Sequence, residues 1–274
     1  MGISDLSEQV NESVRFRQTT DTKNILWINP LGSDIFDKPI KNYLSNIKGE
    51  NTILDVLSFK NGPRHLEYQF YETLVGLDIL KTVKDAERRG YDASIIGCFY
   101  DPYLSEAREI TNMVVTAPAE SSLAIAISLG HKFSVIVGRK KWIPQMEENI
   151  AKYGLRDRLA SFRSIDMGVL DFQEKRNETE KKLMQAGREA IERDSAEVII
   201  LGCTAEFGFY KQMQEEFQVP VIDATIAPLK YAEFMVDIKR VTGMGHSKIR
   251  KYEPPPKTEI ESWDLEKQYD FRWQ

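Results

Sequence analysis

Two thiols are the groups in this chain best suited to moving a proton. Its 274 residues include two cysteines. Each ends an apolar run and follows a glycine: Ala93-Ser94-Ile95-Ile96-Gly97-Cys98 and Val198-Ile199-Ile200-Leu201-Gly202-Cys203. Short β-branched runs of this kind read as buried strands. In parallel α/β sheets ligands bind at the carboxyl ends of strands, so both thiols are expected there. A thiolate on one face of a carbon and a thiol on the other can remove a proton and return one from the opposite side. One buried cysteine alone is ordinarily a small apolar filler; two at equivalent strand ends point to chemistry. A helix start is expected after each, at Asp101-Pro102 and at Thr204-Ala205-Glu206. Asp101 and Thr204 would act as caps, and the free N–H groups would lower both thiol pKa values.

A third junction, Asn29-Pro30-Leu31-Gly32-Ser33, ends the first apolar run. The Asn29 amide offers donors and an acceptor to a polar ligand, and Gly32-Ser33 could turn backbone N–H groups toward an anion. His65, His131 and His246 are scattered, and neither cysteine has a histidine or second cysteine at ligand spacing, so no metal site is expected. His65 sits in a loop that could approach a pocket. Neither a dinucleotide fingerprint nor a P-loop is present.

The elements that must position these residues alternate between strand-like and helical patterns, as in an α/β protein with parallel sheets. Strands are expected at 25–29, 52–58, 93–98 and 113–115, and again at 133–137, 160–165, 197–202 and 219–222. Helices are expected at 66–89, 103–111, 143–153, 176–193 and 206–217. Four strands in each half, with the cysteine on the third, is a repeat of architecture. A helix near 224–239 could return to cover the first half. The expected organisation is a polar extension over 1–23, a first lobe of 24–116 plus about 224–240, a second lobe of 117–223, and a tail over 241–274. Trp263, Tyr269, Phe271 and Trp273 give that tail an aromatic character foreign to disorder. It either docks on its own subunit or clasps a neighbour, and a homo-oligomer is the expected assembly.

The formal net charge of −5 argues against general affinity for nucleic-acid backbones. No apolar run approaches the roughly 20 residues that span a bilayer, and the polar N-terminus lacks a secretory pattern. A cytoplasmic protein with free thiols and a small-molecule substrate is the expectation.

Taken in order, these residues resemble the aspartate/glutamate racemase superfamily, most closely its hydantoin racemase branch, over roughly residues 24–240. The similarity runs through Asn29-Pro30, Gly62-Pro63-Arg64, Gly97-Cys98-Phe99 with Asp101-Pro102, and Glu120. It continues through 153–161, Ile165-Asp166, the run ending at Cys203, and 219–223. The resemblance implies two flavodoxin-like halves related by a pseudo-two-fold axis, each with a mainly parallel four-stranded sheet. It implies no cofactor, Cys98 and Cys203 as opposed acid and base, and a substrate held by Asn29 and by backbone beside the thiols at Phe99, Thr204 and Ala205. Glu120 matches a position at the pocket rim. The chain departs from the branch at Leu31-Gly32-Ser33-Asp34, where Asn-Thr-Ser is usual, and at Thr204-Ala205-Glu206, where Ala-Gly-Met is usual. A threonine after that cysteine is more like the amino-acid racemases, so the expected substrate is hydantoin-like or amino-acid-like. A cysteine-dependent isomerase or decarboxylase of the maleate isomerase or arylmalonate decarboxylase kind, or a non-catalytic ligand-binding protein, is the alternative.

Overall fold

The computed structural model describes residues 21–273. The polar extension expected over 1–23 lies outside the described residues except for its last three. Lys23 belongs to the fold, because it opens the first strand and pairs with Thr52.

Two four-stranded sheets carry the chain, and every strand pair is parallel. The first holds β1 (Lys23–Asn29), β2 (Thr52–Ser58), β3 (Ala93–Ile96) and β4 (Val114–Thr116) in the order β2-β1-β3-β4. The second holds β5 (Phe133–Val137), β6 (Leu159–Ser164), β7 (Val198–Leu201) and β8 (Val221–Asp223) in the matching order β6-β5-β7-β8. This is the flavodoxin-type order written twice. Strands β3, β5 and β7 are buried at every residue, and β1 at all but its first two. That is why they read as unbroken apolar runs, whereas the outer β6 is half-buried throughout.

The helices are α1 (Asp37–Ser45), α2 (Gln69–Arg88), α3 (Leu104–Ile110), α4 (Pro118–Leu129), α5 (Ile143–Lys152), α6 (Asp171–Glu174), α7 (Arg176–Glu192), α8 (Tyr210–Phe217) and α9 (Ile226–Thr242). In the tail lie α10 (Lys257–Ser262) and α11 (Leu265–Tyr269). The last helix of each half reaches the other half's sheet. Helix α4 packs on β7 and β8, and α9 packs on β4, β3 and β1. One apolar core, with Trp27, Ile95, Phe133 and Ile200 among its members, therefore runs through both halves.

The tail folds back on its own chain. His246 Nε2 accepts the Val115 N–H of the edge strand β4 at 2.9 Å. Lys248 Nζ donates to the Thr111 carbonyl at 2.6 Å, just past α3. Phe271 and Ile260 are buried, and the Trp273 ring lies under Lys84 Nζ. Among the described residues no helix is long and apolar enough to cross a membrane.

Candidate active site

Glycine precedes each thiol because the backbone is crowded there. The Gly97 N–H closes on the Ile28 carbonyl at 2.8 Å, and the Gly202 N–H closes on the Ile136 carbonyl at 2.8 Å. A Cβ on Gly97 would stand 2.4 Å from the Trp27 indole nitrogen, and one on Gly202 would stand 2.7 Å from the Ile136 carbonyl. Each cysteine thus leaves its sheet at the same place, beside the central strand of its half.

The loops beyond differ from expectation in a way that matters for the thiols. After Cys98 the backbone takes the left-handed region at Asp101 and Tyr103, and α3 begins only at Leu104. After Cys203 comes a single 3-10 turn, Thr204–Glu206; extended Phe207 and Gly208 at φ +84° interrupt it, and α8 waits until Tyr210. Neither thiol therefore lies at an α-helix start. Asp101 does not cap α3 either. Its carboxylate accepts the Ala119 and Glu120 N–H groups of α4, both at 2.8 Å, and the Tyr153 hydroxyl at 2.7 Å. Thr204 caps nothing: its hydroxyl donates across the halves to the Gly97 carbonyl at 3.2 Å.

The expected lowering of the thiol pKa values is overturned with it. Burial pushes both thiols up, and it is the largest influence on each. Glu72 and Asp101 add to the rise at Cys98, and Glu206 and Cys98 add to it at Cys203. The Tyr100 N–H opposes it at Cys98 and the Ala205 N–H at Cys203, the same position two residues on in each loop.

The two loops are braced from the opposite half. Asn149 donates to the Tyr100 carbonyl at 2.6 Å, and Tyr153 to Asp101. In mirror fashion Tyr43 donates to Asp223 at 2.7 Å, and that carboxylate holds the N–H groups of Gly208 and Thr225, each at 2.8 Å. Since Asp223 holds the helix end in the second half, Glu206, three residues past Cys203, has no such task. Both its oxygens are buried without a hydrogen-bond partner. Burial first, and Asp223 second, push its pKa well up.

Cys98 and Cys203 are both partly exposed, and both line one small cavity between the halves. Of the other residues singled out in the sequence, Asn29, Phe99, Thr204 and Ala205 line it too, as does His65. Ser33 and Glu120 do not. The Gly32 N–H is spent on the Pro63 carbonyl at 2.9 Å and is not free for an anion. Glu120 pairs instead with Arg108, its Oε1 2.8 Å from a guanidinium nitrogen. Asn29 is held on both sides: its Oδ1 accepts the Trp27 indole N–H at 2.7 Å, and its Nδ2 donates to Asp37 at 2.6 Å. One amide N–H remains for a ligand.

Sequence reasoning missed Glu67. It is buried, lines the cavity, and takes the Arg139 guanidinium at 2.7 Å and the Val169 N–H at 3.1 Å, both from the second half. The one available signal was its place two residues past His65, in the loop already noted. Glu72 on α2 was missed as well. It is buried, accepts from Gln145 at 2.6 Å, and is raised to about 7 chiefly by burial. Among the described residues no group of three or more His, Cys, Asp or Glu side chains could hold a metal ion.

The Asp/Glu/Hydantoin racemase family profile matches residues 25–232. A hydantoin racemase of Pseudomonas sp. (strain NS671) is 34% identical over 232 residues, 85% of this chain and 92% of the relative. The structure of an allantoin racemase from Klebsiella pneumoniae superposes with a TM-score of 0.80 at 25% identity, covering 86% of this chain and 95% of the other. An allantoin racemase from Pseudomonas fluorescens gives 0.79 at 29% identity, covering 85% and 98%. With the doubled parallel sheet and the profile spanning both halves, the chain belongs to the Asp/Glu/hydantoin racemase family.

Proposed function

We propose that this protein is a cofactor-independent racemase of 5-substituted hydantoins, with Cys98 and Cys203 as the opposed acid and base. The observation that carries the reading is that two thiols, one from each half, line a single small cavity. The names of the relatives support the substrate class. The lining supports it too: Leu31, Phe36, Ile40, Trp142 and Met146 surround the thiols with apolar surface suited to an apolar 5-substituent.

In the first step one cysteine, as thiolate, takes the C5 proton, and the C5–H electron pair passes into the ring as an enolate. In the second, the other cysteine gives its proton to C5 from the opposite face and is left as the thiolate. Each thiol is the base for one enantiomer and the acid for the other. The second N–H of the Asn29 amide is available to the enolate oxygen. Surroundings that raise a thiol pKa make the thiolate a stronger base once formed, which suits a weakly acidic C–H.

The test is to incubate each enantiomer of an apolar 5-alkylhydantoin in deuterated water. Optical rotation and deuterium at C5 are followed for wild type, Cys98→Ser and Cys203→Ser. Each single variant is expected to lose at least about a hundredfold in racemisation, the scale of a positioned acid or base. Exchange without inversion would survive in the variant that retains the base for that enantiomer. Unchanged racemisation in both variants would sink the proposal.

A further inference from the structure

Among the described residues lining the cavity, Glu67 is the one with a carboxylate. Glu67 reaches the cavity from the loop before α2, in the first half, yet its carboxylate is fixed from the second half. Each oxygen holds one protein donor: Arg139 on Oε2 at 2.7 Å and Val169 N–H on Oε1 at 3.1 Å. A carboxylate oxygen accepts two donors, so each has capacity for one further bond. His65 Nδ1 lies 3.9 Å from Oε1 and takes the Glu67 N–H at 3.4 Å, which orients the loop. Among the described residues that line the cavity there is no lysine or arginine. The Arg139 guanidinium is half-exposed and engaged with Glu67 from outside the lining.

We infer that Glu67 is a specificity-determining residue of the site. It accepts the N–H of a neutral ureide or imide ligand and excludes ligands that carry a carboxylate. This rests on the racemase reading and deepens it. A hydantoin ring presents N–H donors and no full charge, so it meets an acceptor already held in place. An amino acid or dicarboxylate would set a second anion beside Glu67 in a cavity with no cation on its wall. Two like charges in a poorly hydrated space repel far more than in water. The Glu67–Arg139 contact also ties the halves together, and the test separates the two roles.

The probes are a pair of ligands of similar size, a neutral 5-alkylhydantoin and hydantoin-5-acetate, which is anionic at neutral pH. Binding of each is measured by calorimetry, and racemisation of each by optical rotation, in wild type, Glu67→Gln and Arg139→Gln. Both substitutions break the ion pair between the halves; only Glu67→Gln removes the negative charge from the cavity. For Glu67→Gln, affinity for the neutral ligand is expected to fall about tenfold, the difference between a charged and a neutral acceptor. Its preference for neutral over anionic ligand is expected to fall by more than that. Arg139→Gln is expected to keep or sharpen the exclusion of the anion. The inference is overturned if both variants shift the neutral-to-anionic ratio in the same direction, or if Glu67→Gln leaves it unchanged. Calorimetry reads the result even if wild type fails to racemise either ligand, an outcome that would count against the function and not against the selectivity.

Discussion

Acidification should loosen the tail at one identifiable bond. His246 Nε2 accepts the Val115 N–H and so satisfies an edge-strand donor. It can do this only as the neutral ring. Burial first, and then Arg108, Lys248 and Lys239, hold its pKa at about 3, against 6.5 for a free histidine. The Tyr252 ring packs edge-on against it. The folded pKa lies below the unfolded one, so the stability this implies is complete above about pH 6.5 and is lost as pH falls toward 3. Fully expressed, the difference corresponds to about 5 kcal/mol. The ring is partly exposed, and screening reduces this to about 2 kcal/mol. The control is His246→Gln, whose side-chain oxygen can accept the same N–H without titrating. Urea denaturation of both proteins at intervals from pH 7 to 4, with hydrogen exchange at Val115 and fluorescence of Trp263 and Trp273, reads the difference. Wild type should lose stability relative to the variant as pH falls, with faster exchange at Val115. Stability curves that stay parallel across that range would refute the reasoning, as would an NMR titration of His246 with a midpoint near 6.5.

Other outcomes follow from the site. Because burial raises both thiols, kcat/KM for racemisation is expected to climb with pH from 7 to beyond 9, and a plateau near neutrality would contradict it. Gly97→Ala would press a methyl group into the Trp27 ring and should cost about 1–3 kcal/mol in chemical denaturation. Glu206→Met replaces a buried, unpartnered carboxyl and is expected to raise stability by about 1–3 kcal/mol while racemisation persists; a loss of stability would show that Glu206 has a partner. Tyr43→Phe and Tyr153→Phe each remove a donor from a buried carboxylate and should each cost about 1–3 kcal/mol.

The sequence by itself determined the strands and the two thiols. Strands β2 and β5 fall at the expected residues and the other six within two residues of them, because central parallel strands are buried on both faces and need apolar side chains throughout. The Gly-Cys pairs were visible because close backbone packing against Trp27 and Ile136 leaves room for glycine alone. Only the tertiary structure decided what surrounds the sulfurs. Asp101 reads locally as a cap for the helix that follows, yet it serves α4 and Tyr153, and α4 in turn packs on the second sheet. The loop that follows the 3-10 turn after Cys203 is tied by the Gly208 N–H to Asp223, a residue two elements later. Glu67 gave no periodic or motif signal, because its partners Arg139 and Val169 lie some seventy to a hundred residues away. Strand patterns record burial, which each segment carries in its own composition. Charge environments and caps are pairings between distant segments, and they exist only once the halves close on each other.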